Sequence, residues 1–187
     1  MNKLIEQGAF RDYSETSLFE ARSIIDEYKQ NYYTTVFISH KHDDLEDLRG
    51  FLGFLEKRYR VKVYIDSQDP LMPKKTSAET ARNLKERIKR CDKFILLATN
   101  GAIESKWCNW ELGYGDAHKY INNIALLPMK PKGSLDSQYK GAEYLSIYPY
   151  ISASIKTNNF YYSNELYDLY VNYPDNKIIN LSDWLKR

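Results

Sequence analysis

The stretch that decides the fold is Phe94-Ile95-Leu96-Leu97-Ala98, a run of five apolar residues without a polar interruption. A strand of this kind is covered on both faces, as in a parallel sheet that lies between two layers of helices. Amphipathic segments flank the run. Before it, apolar residues recur at helical spacing up to position 91, and after it a helix is predicted over 105–120. The centre of the chain is therefore predicted to be a buried strand between two helices.

Three further runs of β-branched and aromatic residues are predicted as strands. They are TTVFIS at 34–39, VKVYI at 61–65 and IALLPM at 124–129. A helix that starts at Asp43 separates the first two, so strands and helices alternate along the chain. This alternation predicts an α/β fold, with a mostly parallel sheet and helices on both of its faces. YLSIYPY at 144–150 is predicted as an edge strand, since proline cannot donate to an inner ladder.

The two ends of the chain follow a different pattern. Apolar residues recur at helical spacing over 14–29 and again over 164–172, and LSDWLKR at the end predicts a last helical turn. We therefore expect a central domain at 34–155, with an N-terminal helical extension at 1–33. A C-terminal helical extension at 156–187 is expected to pack on that domain.

Composition excludes several classes of protein. The 187 residues carry a net charge of +2, which gives no electrostatic footprint for nucleic acid or an anionic membrane. No apolar run approaches the ~20 residues that cross a bilayer, and the first residues lack the apolar core of a secretory signal. Cys91 and Cys108 are far apart, and His40 and His42 have no third ligand in view. We therefore expect a cytoplasmic protein with no metal, nucleic-acid or membrane partner.

The expected position of a ligand follows from the sheet. In an open parallel sheet, ligands bind beyond the carboxyl ends of the strands, at the point where the strand order reverses. This rule indicates the loop after 34–39, the loop after 61–65 and the start of the helix at 105–120. The signatures GxxxxGK[ST], GxGxxG, HExxH and GxSxG are absent, so the common phosphate loops and hydrolytic motifs do not apply.

Trp107 and Glu111 are the most informative pair at these positions, because they are one helical turn apart and share a face. An indole offers a flat surface to a base or a cationic ring, and a carboxylate beside it can stabilise positive charge on a sugar. The same pair also fits a helix with a buried tryptophan and a solvated glutamate. Gly113 and Gly115, each less favourable in a helix than alanine by ~1 kcal/mol, indicate close packing against this helix.

The chain resembles the bacterial TIR (Toll/interleukin-1 receptor) domains in several segments that occur in the same order. FISH at 37–40 is similar to the end of their first strand, and YID at 64–66 to their second strand, which a proline-containing BB loop follows. Trp107-x-x-x-Glu111 is similar to the WxxxE motif of the TIR enzymes that cleave NAD+. IKRCDKFILLAT at 88–99 and NIALLPMK at 123–130 also resemble family segments. The resemblance implies a flavodoxin-like fold with a five-stranded sheet.

The same resemblance implies the roles of individual residues. Glu111 would be the catalytic residue, and NAD+ would be the substrate, with no further cofactor. The nicotinamide of NAD+ is already cationic, so one carboxylate can suffice where ordinary glycosidases need an acid partner as well. The substrate-binding residues that the resemblance implies are Ser39, His40, Lys41, Asp66 and Trp107. His40 stands where relatives often have an aromatic residue.

The resemblance also implies partners and a biological role. A chain of this kind would be an NAD+ glycohydrolase or ADP-ribosyl cyclase-like hydrolase that makes a nucleotide messenger for a separate effector, as in Thoeris-type antiphage defence. It would self-associate through the BB loop at 67–75, which lacks the glycine frequent in related loops. Attack by water would yield ADP-ribose, and attack by adenine or another base would yield a cyclic or base-exchanged nucleotide.

Three alternatives share part of these features. The first is a TIR interaction module without catalysis, which would not need Glu111. The second is an enzyme similar to the nucleoside deoxyribosyltransferases, which would act on free nucleosides. The third is an effector that depletes NAD+ outright. The residues named above do not separate these alternatives from messenger synthesis.

Overall fold

The fold is organised around one sheet that has eight strands in the part of the chain described here. The computed structural model describes residues 4–16, 34–59, 61–65, 77–153 and 168–187. The strands are β1 (Ile5–Glu6), β2 (Thr34–Ser39), β3 (Val61–Tyr64), β4 (Lys93–Thr99), β5 (Ile124–Lys130), β6 (Tyr150–Ala153), β7 (Leu169–Asn172) and β8 (Ile178–Asn180). The helices of the same ranges are α1 (Leu45–Arg58), α2 (Ala78–Arg90), α3 (Asn100–Glu104), α4 (Lys106–His118) and α5 (Leu181–Lys186).

The strand order confirms the predicted α/β architecture. The order is β3-β2-β4-β5-β6-β7-β8, and β1 pairs with the end of β5. All pairs from β3 to β6 are parallel, whereas β6–β7 and β7–β8 are antiparallel. The order β3-β2-β4-β5-β6 is the doubly wound arrangement of flavodoxin-like folds. In this arrangement the strand order reverses between β2 and β4, although the two strands are parallel. A binding cleft is therefore expected at the carboxyl ends of these two strands.

The centre of the sheet is buried on both faces, as the apolar runs predict. Every residue of β4 and β5 is buried. Because successive side chains point to opposite faces, Ile95 and Leu97 pack with Phe51 of α1, while Phe94 and Leu96 lie with Leu84 of α2 and with Leu112 of α4. Burying one such side chain contributes roughly 1.5–3 kcal/mol. The sheet is thus held between α1 on one face and the α2–α4 layer on the other.

The strand predicted at 144–150 is wrong in its position. Residues 144–146 form a 3-10 turn, and β6 begins only at Tyr150. Pro149 has no N–H to give to a ladder, but its carbonyl accepts a hydrogen bond from the Leu126 N–H at 2.8 Å. β6 also lies between β5 and β7 rather than at an edge. The proline therefore marks the start of an inner strand.

The helix predicted over 164–172 is wrong for the part that the structure describes, because residues 169–172 form β7. Leu169 and Val171 are both buried, which is the spacing of a strand with one face in the core. The last helical turn is confirmed as α5, where the indole N–H of Trp184 donates to the Asn122 carbonyl at 2.8 Å. Strands β1, β7 and β8 come from the segments expected to be extensions, so the sheet has more than the five strands implied by the resemblance.

The described part of the N-terminal segment packs on α1. β1 pairs with Met129 and Lys130 of β5, and Phe10 lies 5.2 Å from the ring of Phe51. A Cβ placed on Gly50 would come within 2.6 Å of the Phe10 carbonyl oxygen, so α1 accepts this segment only because position 50 has no side chain. The helix predicted over 14–29 falls mainly outside the described residues. None of the helices described above is long and apolar enough to cross a membrane.

Candidate active site

Ser39 and Glu111 meet at the carboxyl end of β2, where the strand order reverses. Ser39 is the last residue of β2, and Glu111 lies on the second turn of α4. The Ser39 hydroxyl donates a hydrogen bond to Oε2 of Glu111, although the two residues are 72 positions apart in sequence. Each residue is only 1% exposed. The fold therefore brings two of the residues predicted for the site into direct contact in a buried position.

The start and the buried face of α4 explain why Glu111 points at the sheet. The Ser105 hydroxyl caps the helix by accepting a hydrogen bond from the Cys108 N–H at 3.3 Å. Glu111 shares its buried face with Cys108, Leu112 and Gly115, which follow one another at helical spacing. This face is the one that packs on β4. The apolar neighbours thus anchor the helix, and the single carboxylate among them is carried into the interior.

Gly115 allows α4 to approach the sheet closely. A Cβ on Gly115 would lie 3.2 Å from the ring of Phe94, whereas a Cβ on Gly113 would meet nothing within 4 Å. The close packing that the two glycines indicate is therefore found at Gly115 and not at Gly113. Gly115 lies one turn after Glu111, so the contact with Phe94 sets the depth at which the carboxylate lies.

Residues 138–144, which follow β5 and are called the strap below, hold the other side of α3 and α4. The Tyr144 hydroxyl donates to Oδ1 of Asn109 at 3.0 Å, and the Asn109 amide donates to the Ile103 carbonyl at 2.8 Å. Asn100 is bonded in both directions, because its amide donates to the Gln138 carbonyl and its Oδ1 accepts from the Lys140 N–H. Sequence reasoning missed this strap, since polar residues in an irregular segment carry no periodic signal. Together with Phe94, the strap fixes α4 from two directions.

Trp107 belongs to a column of stacked rings on α4. Its ring centroid lies 4.9 Å from that of Trp110 with an interplanar angle of 23°, and the column continues to Tyr114 and His118. Nζ of Lys85 on α2 lies 5.8 Å from the Trp110 ring. One face of the Trp107 indole is thus already occupied by Trp110. Only the opposite face remains for the stacking role that the sequence predicts.

His40 and Lys41 follow Ser39 directly and lie at the same end of the sheet. His40 is buried, with 4% of its surface exposed. Nζ of Lys41 pairs with a carboxylate oxygen of Asp43 at 2.8 Å, and this hydrogen bond raises the pKa of Lys41 and lowers the pKa of Asp43. The stem of Lys41 lies against Gly101, where a Cβ would be 3.1 Å from its Cδ. The Lys41 ammonium group, which is predicted to contact a phosphate, is therefore already paired with Asp43.

The structure also contributes a contact that sequence reasoning missed. Thr99, the last residue of β4, donates from its hydroxyl to Oδ2 of Asp44 at 2.6 Å. Burial raises the pKa of Asp44. The only local signal was the position of Thr99 at the end of an apolar strand.

Asp66 and the loop at 67–75 lie outside the described residues, and their expected roles stay predictions.

The chemistry available at this site is that of a single buried carboxylate with a hydroxyl donor. Removal from water strengthens the attraction of a carboxylate for a nearby cation. A carboxylate in such a place can offset positive charge that develops when a bond to a cationic leaving group breaks. The Ser39 hydroxyl orients the carboxylate and is itself held by the end of β2. The arrangement therefore suits the cleavage of a sugar–pyridinium bond.

Comparison with known proteins adds an independent observation. The sequence model of the TIR domain family matches residues 36–159 of this chain, a range that includes Ser39 and Glu111. The chain is also 30% identical over 162 residues to a protein of Bacillus cereus (strain MSX-D12) named probable 3' cyclic ADP-D-ribose synthase ThsB'. That match covers 86% of this chain and 79% of the Bacillus protein.

Proposed function

Because the chain belongs to the TIR domain family, we propose that it cleaves the nicotinamide–ribose bond of NAD+ and converts the ADP-ribosyl part into a cyclic signalling nucleotide. The messenger acts in antiphage defence, through a separate effector. The observation that carries this proposal is the buried contact between Ser39 and Glu111 at the reversal point of the sheet. The name of the Bacillus relative supports a cyclic product, and Glu111 is proposed as the catalytic residue.

The proposed reaction begins with loss of nicotinamide. The bond between C1′ of the ribose and the pyridinium nitrogen breaks, and its electron pair stays on nicotinamide, which leaves as a neutral molecule. Positive charge develops on the ribose, where the Glu111 carboxylate stabilises it. Ser39 keeps that carboxylate in one orientation, so no reorganisation is needed when the charge appears. No proton has to reach the leaving group, which is why a single carboxylate is sufficient.

The second half of the reaction closes the ring. The name of the relative refers to a 3′ cyclic product. Such a product requires a hydroxyl of the other ribose of the same molecule to attack C1′ of the ribose that has lost nicotinamide. The oxygen forms the new bond and its proton is lost to the Glu111 carboxylate and then to water. If water attacks C1′ instead, the product is ADP-ribose. Cyclisation therefore depends on keeping water out of the site while NAD+ is bound.

Access to the carboxylate is the step that we assign to self-association. With Ser39 and Glu111 each 1% exposed, NAD+ cannot reach Glu111 until the pocket opens. We propose that the loop at 67–75 of a second copy completes the open pocket, so that activity rises with assembly. A monomer that turns over NAD+ at the full rate, independent of protein concentration, would contradict this part of the proposal.

The test of the proposed function is NAD+ turnover by wild-type protein and by Glu111→Gln, measured as nicotinamide release. We expect the substitution to lower the rate by about 10²–10³, the usual effect of removing an electrostatic stabiliser. Glu86→Gln is the matched control, because Glu86 is an exposed glutamate on α2. Mass spectrometry separates the products, since a cyclic product is lighter than ADP-ribose by one water. Equal turnover by wild type and Glu111→Gln would reject the catalytic role.

The burial of Glu111 is also compatible with one alternative. A TIR interaction module without catalysis has no need to expose this carboxylate, and the closed site fits that function as well. The two are distinguished by the same assay at increasing protein concentration. The module predicts no nicotinamide release at any concentration, whereas the enzyme predicts release that rises faster than the amount of protein.

A further inference from the structure

The loop between β2 and α1 is tied at its far end to the carboxyl end of β4. The Thr99 hydroxyl donates to Oδ2 of Asp44 at 2.6 Å, although the residues are 55 positions apart in sequence. Thr99 is 1% exposed, and its oxygen also accepts the Ala102 N–H at 3.0 Å. The hydroxyl therefore has a donor role toward Asp44 and an acceptor role in capping α3. A hydroxyl used in both directions holds its partners in one arrangement.

The loop that this contact closes carries residues of the candidate site. It begins after Ser39 and runs through His40 and Lys41 to Asp44, whose N–H donates to the Lys41 carbonyl at 2.9 Å. Lys41 lies across Gly101, so the loop also touches the first turn of α3. The segment is thus a tight turn that is held at one end by strand β2 and at the other by Thr99.

The surroundings of Asp44 disfavour the charged form of its carboxylate. Burial raises its pKa, as do the nearby charges of Asp47 and Asp43, while the Thr99 hydrogen bond and Lys41 act in the other direction. A carboxylate with these neighbours is more favourably placed in water unless a donor binds it. The Thr99 hydroxyl supplies that donor.

We propose that Asp44 and Thr99 are a positioning pair, which holds His40 and Lys41 where the nucleotide of NAD+ binds. This inference rests on the proposed function. In this proposal the pair acts through the loop and not by contact with the substrate. Glu111 and Ser39 belong to α4 and β2, which keep their own contacts when the pair is broken. Loss of the pair therefore weakens binding of NAD+ more than it slows the chemical step.

The experiment compares Thr99→Val and Asp44→Ala with wild type. Asp44→Ala leaves the cap of α3 intact, so it separates the loop contact from the stability of that helix. For each variant we expect KM for NAD+ to rise about tenfold and kcat to stay within about twofold, as for loss of a positioning contact. Thr99→Ser keeps the hydroxyl and restores the wild-type KM. The double variant Thr99→Val/Asp44→Ala adds little to either single change, because both remove one interaction.

A second measurement does not need activity. Hydrogen exchange at the Asp44 amide reports directly on the turn, and we expect it to become faster in Thr99→Val and Asp44→Ala. Thr34→Val is the matched control, since Thr34 is also buried and also donates to a distant group, the Leu185 carbonyl, at the opposite end of the sheet. We expect Thr34→Val to lower the free energy of unfolding without changing KM or the exchange rate of the Asp44 amide.

Each outcome decides the proposal. Unchanged exchange at Asp44 in both variants, or faster exchange with an unchanged KM, would overturn it, as would a rise in KM for Thr34→Val equal to that for Thr99→Val. Failure of Thr99→Ser to restore KM would also overturn it. If wild-type protein releases no nicotinamide in any assembled form, the proposed function fails and the role of the pair toward NAD+ fails with it. That result is read from the wild type and not from the variants.

Discussion

Gly115 of α4 packs directly on the ring of Phe94 in β4, at a distance that leaves no room for a side chain without movement. A Cβ at this position would be 3.2 Å from one ring carbon and 3.4 Å from two others. The contact lies one helical turn beyond Glu111, on the same buried face. The distance between the helix and the sheet therefore governs where the carboxylate meets Ser39.

Gly115→Ala is expected to lower both stability and NAD+ turnover. The added methyl group pushes α4 away from Phe94 by a few tenths of an ångström, and overpacking of this kind lowers the free energy of unfolding by about 1–3 kcal/mol. The shift displaces Glu111, so kcat falls by about tenfold or more. Urea denaturation and nicotinamide release measure the two effects separately.

The matched control for this change is Gly113→Ala in the same helix. Apart from its chain neighbours and the backbone of its own helix, the Cβ that it adds meets nothing within 4 Å. We therefore expect it to raise the free energy of unfolding by about 0.5–1 kcal/mol and to leave turnover unchanged. A gain in stability for Gly115→Ala as well would show that α4 does not depend on this close approach.

Ser39→Ala tests the hydroxyl that orients Glu111. The substitution removes the hydroxyl that donates to Oε2 and holds this oxygen in place, so kcat is expected to fall by about tenfold or more. KM should change less, because the hydroxyl is engaged with Glu111. Steady-state kinetics with NAD+ gives both values.

Ser152→Ala serves as the control for Ser39→Ala. Ser152 is equally buried and accepts a hydrogen bond from the Asn172 amide at 2.8 Å, in β6 and away from the candidate site. We expect it to cost stability but not turnover. If the two variants lose turnover in proportion to their loss of stability, the orienting role of Ser39 is refuted.

Asp43→Asn is expected to improve the binding of NAD+. Asp43 pairs with Lys41 at 2.8 Å and so competes with a substrate phosphate for the same ammonium group. Removal of the competing charge should lower KM by about two- to threefold, since exposed ion pairs are weak. The effect should fade at high salt because both interactions are screened.

The control for Asp43→Asn breaks another exposed ion pair. Glu46→Gln removes the partner of Arg11, which lies 2.7 Å away on the surface of α1 and the N-terminal segment. Its KM should equal that of wild type at every salt concentration. A KM for Asp43→Asn that is unchanged or higher at low salt would mean that Lys41 does not meet the phosphate.

The ionisation of Asp44 predicts a pH dependence of stability. Burial raises the pKa of Asp44 above its ordinary value of 3.8, so the folded state binds this proton more tightly than the unfolded state does. The stabilising contribution is present at pH values below 3.8 and is lost as the pH rises through the raised pKa. Asp44→Asn has no proton to lose and can still accept the Thr99 hydrogen bond.

The measurement is the free energy of unfolding of wild type and Asp44→Asn over the acid to neutral range. Relative to wild type, the variant should gain stability as the pH rises, and the difference should level off once Asp44 is ionised. Lys41, Asp43 and Asp47 face this position in both proteins, and their attraction or repulsion of the Asp44 charge is part of the measured difference. A difference that is constant with pH would show that Asp44 titrates at its ordinary value.

The sequence by itself determined the central sheet and the position of the candidate site within it. A strand of continuous apolar residues, such as 94–98, has to be covered on both faces, and amphipathic helices between such strands place them in parallel. The spacing of Trp107 and Glu111 follows from helical geometry, and Ser39 ends its strand as expected. These features depend on residues that are close in sequence, where periodicity is a reliable guide.

The segments outside the alternation were less predictable. β7 has only four described residues, and the apolar positions around it fit both a spacing of two and a spacing of three or four. Its pairing with β6 decided the matter, because Leu169 and Val171 find a buried surface only as a strand. Pro149 likewise indicated an edge, whereas the ladder simply begins after it.

Only the tertiary structure decided how the site is closed and held. The contacts Ser39–Glu111, Thr99–Asp44 and Gly115–Phe94 join elements that are distant in sequence. Which strand end lies beside which helix depends on the strand order, and the burial of Glu111 depends on how deeply α4 packs against β4. The local pattern carries the type of each residue, but the distances between elements arise from the packing of side chains over the whole core.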